Sequence, residues 1–229
     1  MIIKNHIPNF FTCLNLAVGC LAIIAIFEGE LDKILYYILI AGILDFADGF
    51  FARILNATSP IGKDLDSLAD MVTFGVVPSL LMFVLIKEYS TSTLVPYVAI
   101  LIAVFSGLRL AKFNNDDRQT DTFYGLPTPA NALFIGSLPL LISSDLPMSW
   151  LENELVLIML VIAVSILLVV DIKLLALKFK NFALRGNEFR YLLIGVSIAL
   201  LLIFGIISIP LIIVFYVILS ISANIFSKI

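Results

Sequence analysis

The chain alternates long apolar runs with short polar connections. Eight of the runs approach or exceed the 17 or so helical residues needed to cross a bilayer. They cover residues 11–28, 34–53, 66–86, 93–112, 128–144, 153–171, 191–208 and 211–227. The pattern predicts an all-α polytopic membrane bundle of about eight transmembrane helices, with a hairpin at Ile209-Pro210 between the last two. Pro78 and Pro139 lie inside runs and predict kinks, which membrane helices tolerate.

Composition agrees with a membrane protein. The chain has 229 residues, of which 61% are hydrophobic, and its mean hydropathy is +1.11. No polar stretch is long enough for a second domain, so residues 1–229 are predicted to form one integral membrane domain. A net charge of −3 and the absence of a basic arm predict no nucleic-acid partner. Cys13 and Cys20 are interpreted as packing residues, because their spacing matches no zinc or redox motif.

The basic residues predict the orientation. If eight spans alternate in direction, twelve of the 14 Lys and Arg residues fall on one side, and only Lys33 and Lys87 fall on the other. The positive-inside rule then places the amino terminus in the cytoplasm, in a multi-pass protein of the cell (inner) membrane. The basic segment 171–185 is expected to lie along the anionic inner leaflet, as an interfacial helix or an extended stretch.

Four aspartates interrupt this apolar pattern at regular spacing. Asp45 and Asp48 are three residues apart near the cytoplasmic end of the second run, and Asp66 and Asp70 are four apart at the start of the third. Both spacings place a pair on one helix face. Each Asp costs about 2.5–3.5 kcal/mol at the centre of a membrane helix, so such acids are candidates for a functional site. Carboxylate ligands favour Mg²⁺ or Mn²⁺, and two divalent ions would neutralise four acids.

The residues around the acids suit a phosphate ligand. Gly49 and Ala52 leave room for close approach to the backbone, Arg53 could bind a phosphate oxygen, and Gly62 allows the turn into the third helix. One alternative is a buried acid–base network with Arg53 and Lys63, although two cations cannot balance the acids. Another is a cation transporter, which would not need the small residues or the arginine.

The spacing D-x2-D-G-x2-A-R-x8-G-x3-D-x3-D between Asp45 and Asp70 resembles the signature of the CDP-alcohol phosphotransferase family at every fixed position. Together with Pro8-Asn9-Phe-Phe-Thr12, the resemblance covers roughly residues 7–140, the expected catalytic core. Hydropathy alone supports the C-terminal helices of about 150–229. The resemblance implies the fold of that family, two divalent ions (Mg²⁺ or Mn²⁺), membrane lipids as partners and a homodimer.

The resemblance also implies roles for individual residues. Residues matching Asp45, Asp48 and Asp66 hold metal, and the residue matching Asp70 holds the second metal and acts as the general base. The residues that would bind the CDP-lipid are Asn9, Thr12, Gly49, Arg53 and Ser59. Whether the hydroxyl attacks directly or after a covalent intermediate stays open at this point.

A second polar region spans residues 109–131, on the same predicted face as the acids. Its segments Arg109-Leu-Ala-Lys-Phe-Asn114 and Phe-Tyr-Gly-Leu-Pro-Thr-Pro-Ala-Asn131-Ala resemble those of family members that use serine. This resemblance implies transfer of the phosphatidyl group from CDP-diacylglycerol to L-serine, giving phosphatidylserine and CMP. Arg109 would hold the carboxylate of serine, and Asn114, Asn131 or Asp117 would accept its ammonium.

Several alternatives remain for this region. Another acceptor alcohol is possible, although glycerol 3-phosphate would need more cations and an inositol more neutral hydrogen-bonding groups. Arg109 could simply set the topology, Asn131 could bond a neighbouring helix, and Thr128 could cap the fifth predicted helix.

Overall fold

The computed structural model describes residues 2–57, 59–115, 123–175, 183–184 and 186–227, which are mostly helical. The predicted roles of Asp117 and of most of the basic segment 171–185 lie outside the described residues. The helices are α1 (Ile2–Phe27), α2 (Ile34–Ile54), α3 (Pro60–Asp70), α4 (Val77–Tyr89), α5 (Ile100–Asn115), α6 (Thr128–Gly136), α7 (Leu138–Ile142), α8 (Glu154–Val169), α9 (Glu188–Phe204) and α10 (Ile209–Ser227). A π-helical segment, Met71–Val76, joins α3 to α4, and short 3-10 turns cover Leu31–Lys33, Val95–Ala99, Ser149–Glu152 and Gly205–Ser208.

Five helical stretches are long and apolar enough to cross a membrane within the described part of the chain. They are His6–Phe27, Leu31–Ile54, Pro60–Tyr89, Val95–Asn115 and Glu188–Ile225. Two shorter apolar stretches, Thr128–Ile142 and Glu154–Val169, correspond to the fifth and sixth predicted spans. The membrane-helix character of the chain is confirmed, and the count of about eight is not.

The last stretch divides into α9 and α10 at Gly205, four residues before the predicted break. Gly205 has φ +63°, a left-handed conformation that L side chains rarely adopt, and it ends α9. Both helices then line one cavity, with Leu193 and Ser197 from α9 opposite Ile212 and Tyr216 from α10. The two segments therefore lie side by side.

The structure also contains a small β-sheet, which the all-α prediction missed. Strands β1 (Phe123–Tyr124) and β2 (Lys173–Leu174) pair antiparallel, with Phe123 opposite Leu174 and Tyr124 opposite Lys173. Two-residue strands leave no alternation of apolar and polar positions that a sequence could reveal. The pairing depends on residues 50 positions apart meeting in the fold.

The third predicted span begins earlier than expected, at Pro60 instead of residue 66. The side-chain oxygen of Ser59 accepts a hydrogen bond of 3.0 Å from the Gly62 amide, and proline occupies the first helical position. Both features stabilise a helix amino terminus. Asp66 consequently lies within α3, and Asp70 is its last residue.

Both predicted proline kinks coincide with interruptions of helix geometry. Pro78 is the second residue of α4, just after the π-helical segment, where the Val77 amide donates to the Val72 carbonyl five residues back. Pro139 follows the break at Ser137 between α6 and α7. A proline removes one backbone donor and crowds the preceding turn, so wider or broken turns accommodate it.

The packing places α1 against α2, α3 and the π-helical segment, and α6 against α2, the π-helical segment, α4 and α10. One hydrophobic core draws on α1, α2, the π-helical segment, α4, α5, α6 and α8. The α9–α10 pair contributes few buried side chains and lies at the edge of the bundle. The polar ends of α2 and α3 therefore converge beside the first turns of α1.

Candidate metal centre and adjoining polar interior

Three of the four predicted metal ligands converge. Asp45 and Asp48 on α2 and Asp66 on α3 each offer one carboxylate oxygen, and these oxygens all lie within 4.8 Å of one another. Asp48 is buried, and Oδ1 of Asp66 is buried without a hydrogen-bond partner among the described residues. Converging carboxylates repel one another unless a cation lies between them. An all-oxygen donor set of this kind fits a hard divalent cation.

Asp70 lies beside this group and outside the set of three. Its carboxyl group interacts electrostatically with those of Asp45, Asp66 and Asp48. Nδ2 of Asn15, a fully buried residue of α1, donates a long hydrogen bond of 3.5 Å to Asp70 Oδ1. Asp70 thus adjoins the three clustered acids and has an additional polar neighbour on α1.

The first helix reaches the cluster through Thr12. Its hydroxyl donates a hydrogen bond of 2.7 Å to Oδ2 of Asp48. The same hydroxyl lies 3.2 Å from the Pro8 carbonyl oxygen, one turn earlier. Thr12 therefore orients an acid of the cluster, a role that the sequence resemblance did not specify.

A cavity of about 510 Å³ opens beside the three clustered acids. Its polar and small lining residues are Asn9, Thr12, Asp48, Gly49, Ala52, Ala57, Ser59, Gly62, Lys63 and Asp66. Four of the five residues predicted to bind the CDP-lipid are among them. Arg53 is not: its side chain is exposed, and its Nε donates to the Gly49 carbonyl at 2.9 Å. Lys63 lines the cavity and was predicted only as a possible counter-ion.

Gly62 is closely approached by two polar side chains that line this cavity. A Cβ atom at this position would lie 3.0 Å from Oδ1 of Asn9 and 3.1 Å from Oγ of Ser59. Both distances are closer than ordinary van der Waals contact. Glycine at this turn therefore lets α1 and the start of α3 approach each other.

A second polar group lies among α5, α6 and the π-helical segment. The Arg109 side chain is only 7% exposed, and its Nε has no hydrogen-bond partner within the described ranges. Its guanidinium lies 5.6 Å from the centre of the Phe113 ring and interacts electrostatically with Asp70 and Tyr216. No ion pair to Arg109 occurs among the side chains that the structure describes. A simple topology-setting charge would lie at the surface, so its burial favours a functional role.

Asn131 and Thr128 are fully buried on α6, and their side chains also lack hydrogen-bond partners among the described residues. Neither amide atom of Asn131 forms a hydrogen bond within the described part of the chain, and the same is true of the Thr128 hydroxyl. The interpretations of Asn131 as a bond between helices and of Thr128 as a helix cap therefore receive no support, and α6 has no side-chain cap. The buried hydroxyl of Ser106 on α5, which was not among the predicted site residues, likewise has no hydrogen-bond partner in the described residues.

Asn114 has other contacts. Its Nδ2 donates to Ser67 Oγ at 2.7 Å, and its backbone carbonyl accepts from Nζ of Lys63 at 3.1 Å. It lines a separate cavity with Asp64 and Ser67. These bonds join α5 to α3, and the predicted contact of Asn114 with the acceptor stays a prediction.

Comparison with known proteins agrees with this arrangement. A family model described as CDP-alcohol phosphatidyltransferase matches residues 5–171 of the chain. A CDP-diacylglycerol–serine O-phosphatidyltransferase of Bacillus subtilis is 40% identical over 129 residues, covering 55% of this chain and 70% of the relative. One of Helicobacter pylori is 35% identical over 130 residues, covering 56% of this chain and 54% of the relative. An archaetidylserine synthase of Methanothermobacter thermautotrophicus is 32% identical over 173 residues, covering 73% of this chain and 68% of the relative.

The matches cover only part of this chain and part of its relatives. The match spans about half the length of the Helicobacter pylori relative and of a Mycobacterium tuberculosis one, of which it covers 49%. The family match ends at residue 171, before α9 and α10 begin. The acids, both polar groups and the cavity all lie within the matched part.

Proposed function

Because the chain belongs to the CDP-alcohol phosphatidyltransferase family, we propose that it transfers the phosphatidyl group of CDP-diacylglycerol to the hydroxyl of L-serine, releasing phosphatidylserine and CMP. The observation that carries this proposal is the position of the carboxylate cluster. Asp48 and Asp66 of the cluster line a polar cavity, and the neighbouring Asp70 interacts electrostatically with the buried Arg109. The cavity can take a nucleotide diphosphate, and the region around Arg109 can take a small charged acceptor.

Asp45, Asp48 and Asp66 would hold the divalent metal, with Asp70 contributing to a second ion. Mg²⁺ or Mn²⁺ bound there would neutralise the negative charge of the diphosphate and of the departing CMP. The orphaned Oδ1 of Asp66 and the mutual proximity of the three acids fit such a group. Thr12 orients Asp48 by its 2.7 Å hydrogen bond, so that carboxylate is held in place before substrate arrives.

The cavity beside the acids would hold the cytidine diphosphate part of the lipid. Asn9, Thr12 and Gly49 line it, and Lys63 adds a cation to bind phosphate oxygens. Arg53 stands at the margin, one turn from Gly49, and would swing in when the nucleotide binds. The acyl chains would remain in the bilayer, since α2 and α3 present apolar residues such as Phe46, Ile61 and Leu68 at their surface.

The acceptor would bind on the other side of Asp70. Arg109 is a buried cation without an ion-pair partner in the described residues, and a serine carboxylate would supply one. The unpaired amide of Asn131 would bond the serine ammonium or hydroxyl. Asp70 would accept the hydroxyl proton as the oxygen attacks phosphorus, with Asn15 fixing the carboxylate orientation.

We further propose a homodimer in the cell (inner) membrane, with a cytoplasmic amino terminus and the site open to the cytoplasm. The distribution of basic residues supports the orientation. CMP is a charged, water-soluble nucleotide, so an opening toward the cytoplasm would let it leave directly into water.

The direct test measures CMP release by purified protein in mixed micelles of CDP-diacylglycerol. Release is expected to require L-serine and Mg²⁺ or Mn²⁺, and excess EDTA is expected to abolish it until metal is restored. Glycerol 3-phosphate, an inositol phosphate and ethanolamine form the acceptor panel. If another acceptor supports faster release than serine, the serine assignment is wrong while the transfer chemistry stands.

Arg109→Lys is expected to raise the KM for serine about 10-fold, with the KM for CDP-diacylglycerol within twofold of the original. Lysine keeps the charge, but it cannot bind a carboxylate through two parallel N–H groups. Steady-state kinetics with each substrate varied in turn would measure both constants. Arg190→Lys on α9 serves as the matched control and should leave both unchanged. An equal rise in both KM values would argue against carboxylate binding by Arg109.

Gly62→Ala is expected to raise the KM for CDP-diacylglycerol about 10-fold, because the new methyl group would push Asn9 and Ser59 away from the cavity. Gly42→Ala on α2 is the control, since a Cβ atom there meets nothing within 4 Å. Titration of each variant with CDP-diacylglycerol at saturating serine gives the comparison. An unchanged KM for Gly62→Ala would show that the cavity does not hold the nucleotide.

A further inference from the structure

The last helix carries a polar stripe on a mostly apolar surface. Tyr216, Ser220 and Asn224 are spaced four residues apart, so they lie on one face of α10. Polar side chains inside a membrane helix are costly unless they find hydrogen-bond partners. Such a stripe therefore points to a specific contact along its length.

All three residues of the stripe bond to one short stretch of backbone. The Tyr216 hydroxyl donates to the Leu175 carbonyl at 3.1 Å, and the Leu175 amide donates to Ser220 Oγ at 3.2 Å. Asn224 Nδ2 donates to the carbonyl of Lys173 in β2. Three side chains of α10 thus form hydrogen bonds with β2 and with Leu175, the residue that follows it.

Strand β2 belongs to a small sheet that is connected to α5 and α6, the two helices of the proposed acceptor side. We call residues 123–126 and 171–175, which contain β1 and β2, the clasp. On one side the clasp leads directly into α6, which carries Asn131, and the Gly125 amide donates to the Ile172 carbonyl at 3.0 Å. On the other side Asp171 pairs with Lys112 of α5 at 2.5 Å, one turn from Arg109.

Tyr216 also reaches the acceptor side itself, since it interacts electrostatically with Arg109. Among the described residues, the charged and titratable groups that interact electrostatically with Arg109 are Asp70 and Tyr216. A hydrogen bond from its hydroxyl to the Leu175 carbonyl fixes the position of the Tyr216 side chain.

We propose that Tyr216, Ser220 and Asn224 are positioning residues for the acceptor: through the clasp they fix α5 and α6 so that Arg109 and Asn131 face the acceptor. This inference rests on the proposed function and extends it to α10, which lies beyond the region that the family match covers. The stripe contacts neither the acids nor the nucleotide cavity in the described contacts. Removing the polar groups of the stripe should therefore weaken binding of the acceptor and leave binding of CDP-diacylglycerol unchanged.

The test compares Tyr216→Phe, Ser220→Ala and Asn224→Ala with the original protein. Each variant removes one hydrogen bond to the clasp and keeps α10 apolar. Tyr216→Phe is expected to raise the KM for serine about 5- to 10-fold, and the other two about 3-fold, with kcat and the KM for CDP-diacylglycerol within twofold. Ser220→Thr keeps the hydroxyl and should restore the KM for serine.

Ser222→Ala is the matched control, because the Ser222 hydroxyl is exposed and, among the described residues, bonds only the Ile218 carbonyl of its own helix. A stripe that merely stabilises the fold would lower Tm and the active fraction of the protein and leave the KM values unchanged. That result, or an equal rise in both KM values, would overturn the inference.

Measurements with serine, glycerol 3-phosphate, an inositol phosphate and ethanolamine distinguish failure of this inference from failure of the proposed function. If another alcohol supports turnover, the KM for that alcohol is measured in the same variants, and the positioning role is tested although the serine assignment has failed. If serine is the acceptor and its KM does not change in the variants, the positioning role alone fails. Absence of CMP release by the original protein with every acceptor would reject both.

Discussion

Asp70→Asn is expected to lower kcat about 10³-fold while CDP-diacylglycerol still binds. A positioned general base contributes about 10²–10⁴-fold to a rate, and an amide cannot accept the proton of the attacking hydroxyl. Asparagine keeps the size of the side chain and still offers an oxygen to Nδ2 of Asn15. The three clustered acids are untouched, so most of the metal site remains.

Two measurements are needed for this variant. CMP release at saturating substrates gives kcat, and binding of CDP-diacylglycerol in the presence of Mn²⁺ by calorimetry gives the affinity. Asp64→Asn is the control, since Asp64 is exposed on the same helix. Turnover within tenfold of the original in Asp70→Asn would remove Asp70 as the base.

Asp66→Asn is expected to weaken Mn²⁺ binding by at least about 100-fold and to reduce activity to a similar extent at limiting metal. Residues that only support metal ligands already contribute 10–100-fold to affinity, so a direct ligand should contribute at least as much. Removing one of three converging carboxylates also relieves their mutual repulsion. The Tm of the metal-free variant should therefore equal or exceed that of the metal-free original.

This prediction is specific because the affinity for Mn²⁺ should fall while the Tm of the metal-free protein should not. Mn²⁺ binding can be followed by electron paramagnetic resonance of the free ion, and Tm by nanoscale differential scanning fluorimetry in detergent with EDTA. Asp145→Asn, at an exposed loop position, should change neither. If Asp66→Asn lowered the metal-free Tm and bound Mn²⁺ normally, Asp66 would be a structural residue.

The acid cluster is the part of the site that spacing alone could predict. Intervals of three and four residues fix which side chains share a helix face, and a short connection makes α2 and α3 neighbours. Both statements are local, and the convergence of Asp45, Asp48 and Asp66 follows from them. Asp70 lies one turn further along, and only the packing of α1 gives it Asn15 as a neighbour.

The surroundings of the proposed acceptor-binding residues depend on contacts with distant parts of the chain, so local spacing could not predict them. The resemblance selected Arg109, Asn114 and Asn131 together, but only Arg109 and Asn131 are buried without partners in the described residues. Asn114 bonds Ser67 on α3. The difference arises because residues five positions apart on α5 point in different directions, and which direction is interior depends on the neighbouring helices.

The sequence by itself determined that this chain is a helical membrane protein with a metal-binding acid cluster, because hydropathy and helical periodicity act over a few turns. Only the tertiary structure decided how many helices are long enough to span, that two distant loops pair as β1 and β2, and that α10 bonds the second strand. The last two features depend on contacts between residues about 40–50 positions apart. Such contacts form only when helix packing brings the segments together, and no short stretch of sequence encodes them.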